Sequence, residues 1–360
     1  GLVIFFSESK MPAFLGEKVI DKAPDFRWAV VFLALLAGGI SALLENVSTL
    51  LILTPVALAM AKKLKTSPVP LLITIAISSN LQGAATLIGD PTSIMLGNYA
   101  NLNFLQFFFL NHKPSIFFAI ELGAIMTAIA IFYLFRKEKQ PITSEEHTKV
   151  TNFFPTIILL LMIVSLVGVS FIKEKPALTN GFICSGFFLL AAFRELIIKH
   201  NLSPKKIIKN LNWETLVLLS FIFIIIGAIV KVGLISDIAS LIARAGQGKI
   251  FLLYSVIVWG SVLASAFIDN IPYVATMLPV IDALTMQLGV SPYLFYFGLL
   301  SGATLGGNIT PIGASTNITA LNILKKEGYT VSFKEFIKYS LPLTLAAVIS
   351  GYLFIWFVWH

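Results

Sequence analysis

Three acids sit inside stretches that are otherwise apolar: Glu45 in LLENVSTLL, Asp90 in LIGDPTSIM and Asp269 in AFIDNIPYV. A charged side chain at mid-membrane depth costs about 2.5–3.5 kcal/mol on insertion scales, so each of the three is expected to coordinate a cation or exchange a proton. A helix cap is the bland alternative, and it competes most strongly for Asp90, which precedes Pro91. Small oxygen-bearing side chains gather around these acids. In the first half they are Asn46, Ser48, Thr86, Thr92 and Ser93, and in the second Asn270, Thr310, Ser315, Thr316 and Asn317. A ligand set made only of oxygen suits a hard cation, and Na⁺ is expected at Asn46, Ser48 and Asn270. Gly83, Gly89, Gly306, Gly307 and Gly313 permit unwound backbone whose carbonyls face a cation. Half-helices starting near Thr92 and Thr316 would turn N–H groups toward an anion.

These residues recur in one register. At an offset of 224 residues, 45–97 match 269–321 without a gap. Glu45 falls on Asp269, Asn46 on Asn270, Pro55 on Pro279 and Ser67-Pro68 on Ser291-Pro292. Gly83 falls on Gly307, Thr86 on Thr310, Gly89 on Gly313 and Thr92 on Thr316. Chance likeness of two Leu-rich stretches does not align Asn, Pro, Thr and Gly in this way. Duplicated halves with interrupted apolar segments at matching positions point to a transporter whose site lies at the repeat interface.

The elements that position these residues follow from hydropathy. The 360 residues are 57% hydrophobic and only 12% charged, with a mean hydropathy of +0.89, whereas soluble domains are about 45–50% apolar and roughly 25% charged. The solvent of such a chain is largely lipid. Segments 115–136, 153–172, 177–198, 213–232 and 339–358 are long enough to span, which takes about 20 residues. Regions 26–64 and 249–288 read as re-entrant hairpins with the acids at their tips, and 68–101 and 292–324 as broken spans. Segments 11–22, 103–113, 233–246 and 326–338 are amphipathic or polar and expected in the interface. The fold class is thus an all-α polytopic membrane protein of two repeats, 1–136 and 153–360, joined by a hydrophilic linker at 137–152. Three spans precede the second hairpin and only residues 1–10 precede the first, so two spans and part of a third are expected to be missing upstream.

Lys and Arg set the orientation. Lys18, Lys22, Arg27, Lys62, Lys63 and Lys65 crowd the mouth of the first hairpin, against Arg244 and Lys249 at the second. Loops 136–152 and 199–212 are expected in the cytoplasm, the C-terminus outside, and the halves inverted in an inner (plasma) membrane. The net charge of +8 is explained by this rule, and no nucleic acid partner is expected. One cysteine, Cys184, excludes a disulfide framework or Cys-rich zinc site within the chain. His112, His147, His200 and His360 lie in polar loops or at the chain end, so no buried His-metal site is expected. No cofactor is expected beyond Na⁺ or H⁺ as coupling ion. Glu121 and Lys231, within or near spans, read as structural.

LENVSTLLILTP and IDNIPYVATMLP resemble the hairpin-tip motifs, and ATLIGDPTSIML and GNITPIGASTNI the Gly-Thr-rich breaks, of the ion-transporter superfamily. The resemblance is to its citrate-transporter-like branch, with the arsenite permeases and NhaD-type sodium–proton antiporters. It implies a scaffold and a transport domain, alternating access, frequent homodimers, and sites at tips and breaks. Related divalent-anion symporters carry Ser-Asn-Thr at the tips. Glu45-Asn46-Val47 and Asp269-Asn270-Ile271 depart from that pattern and repel a dicarboxylate unless protonated or cation-paired. The function expected is a secondary active transporter moving a small ion or anion coupled to Na⁺ or H⁺. The alternatives are a Na⁺/H⁺ antiporter with no anion substrate and an ion channel. An intramembrane enzyme is disfavoured by the lack of an HExxH motif, of a membrane-depth His and of a Ser–His pair.

Overall fold

A computed structural model describes residues 2–142, 148–172, 178–198, 232–245 and 249–360, with isolated positions at 176 and between 208 and 228. The expected span 213–232 and the loop 199–212 therefore fall largely outside the described residues.

The chain opens with α1 (Leu2–Glu8) and α2 (Met11–Asp21). The first hairpin follows as α3 (Phe26–Ser41) and α4 (Asn46–Lys63), joined by the four-residue tip 42–45. Next comes a span broken into α5 (Val69–Gly83) and α6 (Pro91–Tyr99), then α7 (Ile116–Leu134). Beyond the linker lie α8 (Phe154–Ser170) and α9 (Thr179–Phe193), the latter ending in a π-helical turn at Arg194–Ile198. After α10 (Leu234–Ala245) the second hairpin consists of α11 (Ile250–Ser265) and α12 (Asn270–Leu288). The second broken span is α13 (Tyr293–Gly306) and α14 (Ser315–Lys326), and α15 (Phe333–Trp359) closes the chain. Side-chain caps start the helices that matter for the site. Asp25, Glu45, Asp90 and Asp269 each accept a main-chain N–H from the first turn that follows, filling an otherwise orphaned donor.

The repeat is wider than the matched motifs. Helices α2–α7 recur as α10–α15 under the same offset, and α3 and α11 begin and end at equivalent residues. Their packing partners recur too: α3 on α5 as α11 on α13, and α2 on α4 as α10 on α12. Helices α7 and α15 pack on each other around a shared point. A Cβ on Gly123 would lie 3.4 Å from the Cα of Ala347, its own counterpart. One turn along α7, the Thr127 hydroxyl donates to the Leu343 carbonyl at 3.2 Å. One turn the other way, the Ala119 carbonyl lies 3.7 Å from the Cβ position of Gly351. Moving up α7 moves down α15, so the helices are antiparallel and the halves are related by a two-fold axis passing between Gly123 and Ala347.

Helices Ile116–Leu134, Asn270–Leu288 and Phe333–Trp359 are each long and apolar enough to cross a membrane. The surface is apolar where α7 and α8 face outward, as at Ile125, Ile129, Leu160 and Val164. Asn46, Asn80, Asp90, Thr92, Asn308 and Asn317 are buried instead. This inversion of ordinary burial fits a hydrocarbon solvent.

Three expectations gain detail. Segment 103–113, expected to be amphipathic or polar, is built from short elements. It forms a 3₁₀ turn at Leu105–Phe107 and a two-residue antiparallel pair, β1 (Phe109–Leu110) with β2 (Lys113–Pro114), and buries Phe104, Phe107 and Leu110. Its apolar residues follow no helical period, and Asn111 and His112 take positive φ in the turn. Helix α8 is 17 residues long, about 25 Å at 1.5 Å per residue, shorter than the span expected over 153–172. The linker is packed as well as hydrophilic where described. Glu17 accepts the main-chain N–H of Thr148 at 2.7 Å, Gln140 accepts that of Phe26 at 2.9 Å, and Ile142 is buried.

Candidate functional site

In the first repeat the hairpin tip lies against the break between α5 and α6. Asp90 is 1% exposed. Its Oδ1 accepts the Thr92 N–H at 2.9 Å and the Thr92 hydroxyl at 3.0 Å, while its Oδ2 accepts the Asn46 amide at 3.0 Å. The Asn46 Oδ1 in turn accepts the Ser41 hydroxyl at 2.7 Å. Asp90 is thus both the cap of α6 and the tie between that helix and the tip. A second tie comes from the Thr86 hydroxyl, which donates to the Ala42 carbonyl. Ser93 donates to the Ala84 carbonyl at 3.3 Å within the break. Glu45 is half-buried at the tip and accepts both the N–H (3.2 Å) and the hydroxyl (2.7 Å) of Ser48.

The second junction repeats this plan with different chemistry. Thr310 donates to the Ala266 carbonyl as Thr86 does to Ala42. Asn317 donates to the carbonyls of Gly307 and Thr310, both at 3.0 Å. Ala314 stands where the first repeat has Asp90, so the start of α14 has no side-chain cap. Asp269 is half-buried and accepts the Ile271 N–H at 3.0 Å. Asn270 and Thr316 are buried, and the fully buried hydroxyl of Ser265, counterpart of Ser41, has no partner among the described residues. Ser315 is not brought into the site: its side chain is exposed on the far face of α14, and its carbonyl accepts the Thr319 hydroxyl at 2.9 Å. Of the three expected Na⁺ ligands, Asn46 and Ser48 belong to the first tip and Asn270 to the second.

The glycines serve close approach more than freed carbonyls. A Cβ on Gly89 would lie 2.5 Å from the Gly83 carbonyl oxygen, 2.7 Å from that of Ser41 and 2.9 Å from that of Ala42. Gly313 has the same neighbours in the second repeat: Gly307 at 2.6 Å, Ser265 at 2.7 Å and Ala266 at 3.0 Å. Only glycine lets the break lie directly on the tip backbone. Gly83 leaves room for the Asn46 amide, and the Gly307 carbonyl is already taken by Asn317.

The two junctions face each other across the axis. Asn80 donates to Asn308 at 2.7 Å and to Asn317 at 3.2 Å, and the Thr92 and Thr304 hydroxyls share a hydrogen bond at 3.1 Å. Helix α4 packs on α14 and α12 on α6, so each hairpin arm touches the half-helix of the opposite repeat. Asp90 and Asp269 are the carboxylates of the two junctions. Among the described residues neither they nor Glu45 pairs with Lys or Arg, and no cluster of three His, Cys, Asp or Glu could hold a transition metal. Ser41, Asn80, Ser265 and Thr304 belong to the site although their sequence context does not single them out, and Asn308 joins them from within the GNITPIGASTNI break. The one signal for Ser41 and Ser265 is that the same offset superposes them.

A lipid-facing bundle of inverted repeats, with two hairpin tips docked on two helix breaks around buried oxygen ligands, defines an integral membrane transporter. The family model for the citrate transporter matches residues 2–300, and the chain belongs to that family. It is 30% identical over 325 residues to the 46 kDa membrane protein of Mycobacterium leprae, covering 88% of this chain and 74% of that one. An uncharacterized transporter of Mycobacterium tuberculosis is 29% identical over 337 residues, covering 91% and 76%. Among solved structures, the YdaH transporter of Alcanivorax borkumensis superposes with a TM-score of 0.63 at 12% identity, over 98% of this chain and 82% of its own. That likeness shows the fold.

Proposed function

We propose that this protein is a secondary active transporter working by alternating access, which moves a small ion or anion across the membrane coupled to Na⁺ or H⁺ at the tip–break junctions. The observation that carries this reading is Asp90. A carboxylate buried with three hydrogen-bond donors, and with no cationic partner among the described residues, needs a proton or a cation to be tolerated. The same carboxylate holds the hairpin tip to the broken helix through Asn46, so loading and unloading it acts on the contact that must open and close. The oxygens of Asp90, Asn46 and Ser41 make a hard donor set that suits Na⁺.

The asymmetry of the junctions supports a division of labour. The start of α6 is occupied by the Asp90 carboxylate, whereas the start of α14 has no side-chain cap and favours negative charge. Cation coupling belongs to the first junction in this reading, and an anion to the second. Citrate, suggested by the family, would meet Asp90, Asp269 and Glu45 and requires their protonation or pairing with cations. The three acids favour one second reading, Na⁺/H⁺ exchange without an anion. We assign the protein as a homodimer in a plasma membrane, with loops 136–152 and 199–212 cytoplasmic and the C-terminus outside.

The test uses full-length protein in proteoliposomes with an internal pH dye and an imposed Na⁺ gradient, comparing wild type with Asp90→Asn, Glu45→Gln and Asp269→Asn. Proton flux driven by Na⁺ alone and lost in the variants supports cation–proton exchange. Flux that begins only when citrate or arsenite is added supports coupled anion transport. Large unitary currents in a planar bilayer, with no coupling between gradients, would overturn the alternating-access reading in favour of a channel.

A further inference from the structure

A fourth acid lies at membrane depth, away from the tips. Glu121 sits in α7, half a turn from the axis residue Gly123. Both of its carboxylate oxygens accept the single Nε2 of Gln82, at 3.1 and 3.0 Å. Gln82 is the next-to-last residue of α5, beside Gly83 where the break begins. Its carboxamide fills the space that a side chain on Gly38 would take.

Among the described residues no ion pair reaches Glu121. The helices packed on α7 are α3, α5, α13 and α15, and α5 and α13 carry no charged residue. On α3 the only one is Arg27, which pairs with Asp25 and covers Phe132 with its guanidinium 5.0 Å from the ring. Phe132 is three turns from Glu121, about 16 Å along the helix. On α15 the charges are Lys334, Glu335 and Lys338 at its start, and the antiparallel packing carries them to the opposite end of α7. Lys113 lies in β2, ahead of α7, with its ammonium over Trp359. Neighbouring Leu122 and Ile125 are exposed on the lipid side. Hydrocarbon and a neutral amide are poor company for a permanent negative charge.

We infer that Glu121 and Gln82 form a proton-binding site distinct from the hairpin tips, which reports its protonation state to the first break. The amide serves both states: Nε2 donates to the carboxylate, and after the carboxamide turns over, Oε1 accepts from the protonated acid. The turn takes place one residue from Gly83. The second repeat builds the same helices with Leu345 and Gly306 at the equivalent positions, so the fold itself does not require the pair. A crevice bordered by Ala34, Ser78, Gln82 and Thr127 reaches the amide and has no room for a water molecule. Proton exchange by that route requires α3, α5 and α7 to part, which ties it to motion of the hairpin.

The experiment is infrared titration of the full-length protein in lipid, following the carbonyl-stretch band of protonated carboxylic acids between about pH 5 and about pH 9. A titrating band present in wild type and in Asp90→Asn, lost in Glu121→Gln and shifted in Gln82→Leu, is the expected result. Identical spectra for wild type and Glu121→Gln across that range would overturn the site. An unshifted band in Gln82→Leu would overturn the pairing and needs no folded Glu121 variant. No transport is measured, so the outcome is independent of which ion or anion the tips carry.

Discussion

Gly89→Ala is the most exacting test of the docked tip. Ordinary Cα–H···O contacts span about 3.3–3.6 Å, and the new methyl would meet carbonyl oxygens at 2.5, 2.7 and 2.9 Å. Those oxygens belong to Gly83 on one side and to Ser41 and Ala42 on the other, and all are main chain. No side chain can swing away, so the tip must retreat from the break by roughly 0.5–1 Å. Retreat stretches the Thr86–Ala42 bond and the Asn46–Asp90 bond, worth about 1 kcal/mol and about 1.5–3 kcal/mol respectively. With residual crowding at the low end of about 1–3 kcal/mol, the docked state loses roughly 3–5 kcal/mol, or about a hundredfold to a few thousandfold in its population. The assay places Ala42→Cys, in a Cys184→Ser background, under a water-soluble maleimide in the full-length protein in lipid. Labelling is expected to accelerate and the melting temperature to fall. Gly39→Ala is the control: nothing lies within 4 Å of its Cβ position, and removing a mid-helix glycine gains up to about 1 kcal/mol. Equal labelling and melting in Gly89→Ala and Gly39→Ala would refute the docked geometry.

Thr86→Val and Thr310→Val each leave a buried tip carbonyl without its donor, and each is expected to lower stability by about 1–3 kcal/mol. The two losses should match in thermal melts if the junctions are equivalent in build. Asp90→Asn replaces one accepting oxygen with a donor facing the Asn46 amide. Na⁺ is expected to raise the melting temperature of wild type and leave that of the variant unchanged. Gly123→Leu wedges α7 from α15 at the axis and should destabilise by at least about 1–3 kcal/mol, whereas Gly168→Leu, with open space at its Cβ, should stay near neutral. Outside the membrane, the Arg27 guanidinium beside Asp25 holds that carboxyl below its usual range. The unfolded chain binds its proton first as pH falls. The contribution is therefore complete above about pH 4 and disappears as pH drops through the depressed native value. Asp25→Asn should abolish that acid-side slope in a stability titration.

The hairpins and breaks were legible because their punctuation is chemical. Gly, Pro, Asn and Asp interrupt apolar runs where backbone must turn, and duplication shows the same interruption twice. Helix starts at Asn46, Pro91, Asn270 and Ser315 follow from it. What did not follow is whatever depends on the axis. Asn80 meets Asn308 across 228 residues, and no local pattern encodes which turn of α5 faces which turn of α13. Ser315 and Thr316 are neighbours in one motif, yet one is exposed and the other buried, because each helical step turns the side chain by about 100°. Asp90 reads as either ligand or cap; it caps α6 through one oxygen and holds the tip through the other, a tie that its own motif does not reveal. Glu121 reads as structural, and its partner Gln82, 39 residues away, is not visible from its own helix.

The meeting of Gly123 with Ala347 carries a constraint on ancestry. On a dyad, a residue faces its own image. Before two halves were joined in one polypeptide, a single half assembling this way required two copies inserted in opposite directions, and any side chain at this point would have collided with itself. Every change there would have counted twice, which leaves room for little more than hydrogen or methyl. Fusion lifts that restriction, because each copy can then be altered alone. The present pair has used the freedom only by the difference between glycine and alanine, while the neighbouring breaks have diverged to an acid on one side and alanine on the other at Asp90 and Ala314. The seam has stayed nearly symmetric, and the chemistry beside it has not.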